Sequence, residues 1–171
     1  LEKRDLVRFA ALGEQYAENN FRINSIVPAL IGGFILTRNH EELDYHRLPL
    51  PKGLHVVVIY PKRNALISRN VRNNIANKIP LNQAINQAAN IGALVQALYL
   101  SDFELMARAF QNNLIEEHWA LLIPFFKELK QAALSNNALV CGIAGTGSGV
   151  FAICKSSIEA EKSANAMQAI L

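Results

Sequence analysis

Acidic residues are missing from Tyr45 through Ser101, while Arg47, Lys52, Lys62, Arg63, Arg69, Arg72 and Lys78 all fall inside that stretch. A one-signed stretch of this kind attracts anions, and the chain's net charge of +3 understates it. The same stretch has few aromatics and no recognisable nucleic-acid motif, which argues against nucleic acid. A small anionic ligand and a plain solvated face both stay open. Long apolar runs are missing as well. The uncharged apolar stretches 23–37 and 131–154 are broken by Gly, Pro or polar residues, and neither resembles a membrane span of roughly 20 residues. The opening Leu1-Glu2-Lys3-Arg4-Asp5 mixes both charges and lacks a signal-peptide pattern. Cysteine is scarce: Cys141 and Cys154 match no zinc spacing and read as buried free thiols in a reducing cytosol. His40, His46, His55 and His118 show no metal spacing, and no Ser/His/Asp or Cys/His arrangement is legible. These absences predict a soluble cytoplasmic protein with no membrane segment and no resident metal.

What is present centres on residues 140–154, where four glycines and two small hydroxyl residues separate two short apolar runs. Glycine lets backbone amides turn inward with no Cβ in the way, and several such amides together cradle an anion. Tight β-turns use the same residues, so the loop alone leaves a structural turn and a phosphate cradle both open.

Around that loop, residues 2–18 carry apolar positions at helical spacing, and Asn19-Asn20 ends the run. Gly32-Gly33 predicts a bend or a close backbone approach before a short strand at Phe34–Thr37. Pro49, Pro51 and Gly53 mark a connection. His55–Tyr60 is the clearest strand, β-branched and stopped by Pro61. Helices are predicted over 82–99, 102–116 (with Asp102 as N-cap) and 121–136. Strands near 138–144 and 149–154 form a hairpin through the glycine loop, and a last helix starts at Ser156 or Ser157. The pattern is an α+β layer, an antiparallel sheet covered on one face. Residues 1–50 fit that layer poorly and read as the tail of a preceding domain, with 51–171 forming the domain itself.

The order of these features resembles the GHMP kinase superfamily, and the homoserine kinases within it most closely, from about Leu6 to Ile170. Gly142–Phe151 resembles the family's Gly-Ile-Ser-Gly-Ser-Gly-Pro segment, with Ala144 for the usual Ser and Ser148 for the usual Pro. Val27-Pro28-Ala29-Leu30-Ile31-Gly32-Gly33 is similar to Ala-Pro-x-Leu-x-Gly-Gly, and Ile67–Arg72 to Ser-Thr-x-x-Ala-Arg. Leu122-Ile123-Pro124-Phe125-Phe126 resembles Leu-Ile-Pro-Gly-Phe. The resemblance implies a ferredoxin-like antiparallel sheet covered by helices, the GHMP kinase C-terminal domain, preceded by the tail of the N-terminal domain. It implies transfer of the γ-phosphoryl group of ATP, with Mg²⁺, to the side-chain hydroxyl of homoserine in threonine biosynthesis. The glycine-rich phosphate loop of such an enzyme is expected before Leu1, because these residues contain no candidate for it and no Gly-Lys-Ser/Thr P-loop. The family's last strand is expected beyond Leu171. A lobe of this kind leaves an open sheet or an apolar helix face, which a homodimer would cover.

Carried over position by position, Arg72 falls on the arginine that grips the amino-acid carboxylate, a task for which the guanidinium fork is suited. Gly145, Thr146, Gly147 and Ser148 fall on the loop that buttresses the phosphate site. Arg22, Asn24 and Ser25 occupy the family's His-x-Asp-Asn positions lining the substrate pocket. Asn24 removes a negative charge that could hold an α-ammonium group, and Arg22 adds a fixed positive one. A second family arginine falls on Trp119, within Glu116-Glu117-His118-Trp119. These departures keep two alternatives open: a catalytically degenerate relative binding an amino acid, or a kinase for another small alcohol.

Overall fold

The computed structural model describes residues 2–18, 21, 23–61, 78–110, 116, 120, 123–145 and 149–171. The chain divides into two compact units, Leu1–Leu50 and Pro51–Leu171.

In the first unit, α1 (Lys3–Glu18) and α2 (Ile23–Ile31) precede an antiparallel hairpin of β1 (Phe34–Asn39) and β2 (Asp44–Leu48). Val7 and Ala11 lie one turn apart on α1, as Ile23 and Val27 do on α2, and all four are fully buried together. Tyr45 of β2, Ile35 of β1 and Leu43 of the turn pack on that cluster. Gly32 and Gly33 end α2 with φ of +76° and +80°, a left-handed pair that only glycine adopts without strain. The guanidinium of Arg47 lies over Gly33, where a Cβ would meet Nε at 3.2 Å. Both halves of the Gly-Gly expectation, a bend and a close approach, are therefore met. Strand β2 had no sequence signal: Asp44-Tyr45-His46-Arg47-Leu48 is polar, and its pairing with β1 comes from an Asn39 turn in which Oδ1 accepts from the Glu41 amide at 2.9 Å.

The second unit begins with β3 (His55–Ile59) and continues through α3 (Leu81–Leu100), α4 (Phe103–Ala109) and α5 (Phe126–Ser135). The hairpin β4 (Val140–Ala144) and β5 (Gly149–Cys154) follows, and α6 (Ser157–Gln168) closes it. The sheet order is β3-β5-β4, antiparallel throughout, three strands in the split-βαβ order of a ferredoxin-like layer. Val57, Cys141, Val150, Ala152 and Cys154 share one face and bury against Phe126, Leu129 and Ala133 of α5 and Met167 of α6. On the opposite face Phe110 meets Phe151 edge-on, with ring centroids 6.1 Å apart. Val56 and Val58 of β3 stay exposed on that face.

The caps follow the sequence. The Asp102 carboxylate accepts from the Leu105 amide at 2.9 Å and the Ser156 hydroxyl from the Glu159 amide at 3.2 Å. Helix α5 starts later than its periodicity predicts. Ile123 to Phe125 forms a turn, with Phe125 in left-handed backbone at φ 60°. Helix α4 ends at Ala109. Among the described residues, no helix is long and apolar enough to cross a membrane.

Candidate functional site

The glycine-rich segment is the β4–β5 connection. Register pairs Ala144 with Gly149, so the turn is set by a continuous hairpin ladder. Gly145 opens the turn at φ +62°, and a Cβ there would meet no heavy atom within 4 Å. Among the described residues, then, nothing crowds the Gly145 backbone on that side. Gly149 is different: a Cβ would sit 2.8 Å from the Tyr60 ring and 3.1 Å from the Ala144 Cβ. Its glycine serves close strand packing. Thr146, Gly147 and Ser148 lie outside the described residues, as do Arg22, Arg72, His118 and Trp119.

Asn24 and Ser25 lie together in the first turn of α2, both exposed. Two features define this turn. Pro28 sits inside the helix and has no N–H to give the carbonyl of Asn24, so one helical hydrogen bond is missing there. At the helix start, the Ile23 amide donates to Nδ1 of His40, 3.3 Å away in the β1–β2 turn. In the sequence His40 shows no metal spacing and no other signal. Its contact crosses 17 positions, so no local pattern signals it.

Beside β4, Lys130 of α5 forms an ion pair with Glu116, both partly buried. The Lys130 ammonium also lies 5.8 Å from the Phe126 ring centroid. The other carboxylate oxygen of Glu116 is 3.9 Å from where a Cβ on Gly142 would stand. The pair therefore lies beside the strand that leads into the glycine turn. It borders a cleft of about 480 Å³ lined by Ala120, Phe126, Lys127, Gln131 and Leu134. The free Cys141 thiol is pushed up to about 12 by burial, which keeps it protonated and un-nucleophilic. Burial also raises Cys154, whose Sγ lies 3.7 Å from the Ser163 hydroxyl. Among the described residues no group of three or more His, Cys, Asp or Glu could hold a metal ion.

Residues 94–171 match the family model for the C-terminal domain of GHMP kinases, and the antiparallel sheet with its covering helices has that domain's fold. The carboxy-terminal part of the chain belongs to this family. Over nearly all of its length the chain is similar to homoserine kinases. It is 39% identical over 166 residues to the homoserine kinase of Chlorobaculum tepidum, covering 97% of this chain and 51% of that protein. Against the homoserine kinase of Arabidopsis thaliana it is 30% identical over 155 residues, covering 89% of this chain and 42% of the relative. The crystal structure of homoserine kinase from Cytophaga hutchinsonii superposes with a TM-score of 0.95 at 36% identity, covering 99% of this chain and 53% of that one. Mevalonate kinase of L. major, solved with R-mevalonate, shares the fold at 18% identity and a TM-score of 0.81. The chain spans about half the length of the curated relatives it matches.

Proposed function

We propose that this chain is the substrate-side portion of a homoserine kinase, a phosphotransferase that phosphorylates the homoserine side-chain hydroxyl at the expense of ATP in threonine biosynthesis. The observation that carries the reading is the 36% identity and 0.95 TM-score to the Cytophaga enzyme across 99% of the chain. On this reading residues 1–50 are the end of the family's N-terminal domain, and 51–171 form the C-terminal domain. The protein would work in the cytoplasm on a small molecule.

Phosphoryl transfer asks a protein mainly to hold phosphates and acceptor in line. ATP supplies the transferred group, and Mg²⁺ enters with it; no described residue is assigned to the cation. Gly145, with Thr146, Gly147 and Ser148 next in sequence, fits a buttress for phosphate oxygens, since no described side chain crowds Gly145. Arg72 supplies a two-pronged donor for the acceptor's carboxylate. Asn24 and Ser25, exposed in the first turn of α2, offer an amide and a hydroxyl to the acceptor's polar groups, and Arg22 precedes them in the sequence. The general base is left unassigned.

The test is phosphohomoserine formation by the full-length protein given ATP, Mg²⁺ and homoserine. Turnover with homoserine preferred over other small alcohols is expected, and its absence overturns the reading. Arg72→Ala is expected to raise the KM for homoserine about 10- to 150-fold, as loss of a charge-assisted contact worth roughly 1.5–3 kcal/mol implies. An unchanged KM would remove Arg72 from the carboxylate clamp. A second reading, a degenerate relative that binds an amino acid without turnover, is favoured by Arg22, Asn24 and Trp119 in place of the family's residues. Homoserine binding by calorimetry without product would establish it.

A further inference from the structure

We infer that His40 is a positioning residue for the acceptor-binding turn, acting as the cap of α2. This inference rests on the proposed role of Asn24 and Ser25. The first turn of α2 is short of main-chain hydrogen bonds at both ends. Its leading amides have no intrahelical acceptor, as in any helix. At the same time Pro28 withdraws the N–H that would tie down the Asn24 carbonyl. A turn with so few internal ties frays unless something outside the helix holds it. Among the described residues the holder is the imidazole of His40, whose Nδ1 accepts the Ile23 amide at 3.3 Å from the β1–β2 turn, in a partly buried setting.

The turn that carries His40 is itself fixed. The Leu43 amide donates to the His40 carbonyl at 3.3 Å, and Asn39 Oδ1 accepts from the amides of Glu41 and Glu42 at 2.9 and 3.3 Å. Leu43 anchors the same turn in the cluster formed by Val7, Ala11, Ile23 and Val27. Hydrophobic burial of Leu43 and Ile23 therefore sets the distance across which the hydrogen bond forms. Accepting at Nδ1 requires the neutral ring with its proton on Nε2, because an imidazolium has only donors. A charged ring would also face the positive end of the helix dipole. His40 thus works as a neutral acceptor. Its role is to set where Asn24 and Ser25 stand.

The experiment compares the full-length parent with His40→Phe, which keeps a ring and loses the acceptor, and His40→Asn, whose Oδ1 lies near the position of Nδ1. Amide hydrogen exchange over residues 21–27 reads the cap directly. Kinetics read its consequence as separate KM values for homoserine and ATP. In His40→Phe we expect exchange in that segment to rise about three- to tenfold, the span of one net hydrogen bond. The KM for homoserine should rise by a similar factor while the KM for ATP stays within about twofold. His40→Asn should return both readouts toward the parent. Adding Pro28→Ala to His40→Phe restores the bond to Asn24 and should slow exchange again, which covers the case of a poorly folded single variant. Unchanged exchange in His40→Phe, an equal rise in both KM values, or no recovery in His40→Asn would overturn the assignment. An inactive parent would sink the kinase reading instead, with the exchange comparison still deciding whether His40 caps the turn.

Discussion

Ser163 is fully buried, and its hydroxyl lies 3.3 Å from the carbonyl oxygen of Asn136 and 3.5 Å from that of Ala133. It fastens α6 to the end of α5 and lies against the Cys154 thiol. Ser163→Ala should lower stability by about 1–3 kcal/mol, the cost of leaving buried polar groups unpaired, as read by urea denaturation. The thiols provide a second prediction at this scale. Cys141 holds its proton up to about 12 in the folded chain, against 9.0 for an ordinary thiol. Between those values the unfolded chain sheds a proton that the folded one keeps. The stabilising contribution is therefore full below about 9 and is lost as pH rises toward 12. Iodoacetamide at pH 8 should leave Cys141 and Cys154 unlabelled until denaturant is added; rapid labelling of the native chain would contradict their burial.

At the scale of the element, α5 begins on a residue that is poorly suited to its backbone. Phe125 holds φ 60° while its side chain is 56% exposed, at the position where the family pattern Leu-Ile-Pro-Gly-Phe has glycine. A left-handed residue with a Cβ is strained by roughly 1–2 kcal/mol. Little burial is lost with this ring, so Phe125→Gly should raise stability by about 1 kcal/mol, a gain visible as a higher Tm. Gly149→Ala should do the opposite. Tyr60 can swing away, but Ala144 is fixed across the ladder, and crowding of that kind costs about 1–3 kcal/mol. The elements that were legible in the sequence are those with their own local signal. β3 had a β-branched run stopped by Pro61, α4 had Asp102, α6 had Ser156, and the β4–β5 hairpin had its glycines. β2 lacked such a signal because its polar residues form a strand only through pairing with β1 and the burial of Tyr45. The candidate site was partly legible for the same reason: the Gly145 turn announced itself, whereas the His40 cap exists only after the first unit has folded. That Asn24 and Ser25 open a helix was hidden by Pro28, which usually argues against a helix interior.

For the molecule as a whole, each unit is built around its own buried cluster. The core of Pro51–Leu171 is built from one sheet face and two helices, and Leu129 at its centre is fully buried. Leu129→Ala should cost about 2–5 kcal/mol by removing methyl groups that the surroundings cannot replace. Among the described residues β3 is one of the two edge strands of its sheet. Among the described residues it pairs with β5 alone, and Val56, Val58 and Tyr60 are exposed beside it. Colloidal behaviour of the isolated chain should thus respond to this five-residue margin as well as to its net charge. One lysine at position 58 (Val58→Lys) should raise its saturation concentration severalfold, as charges on bare strand borders do in natural sheets.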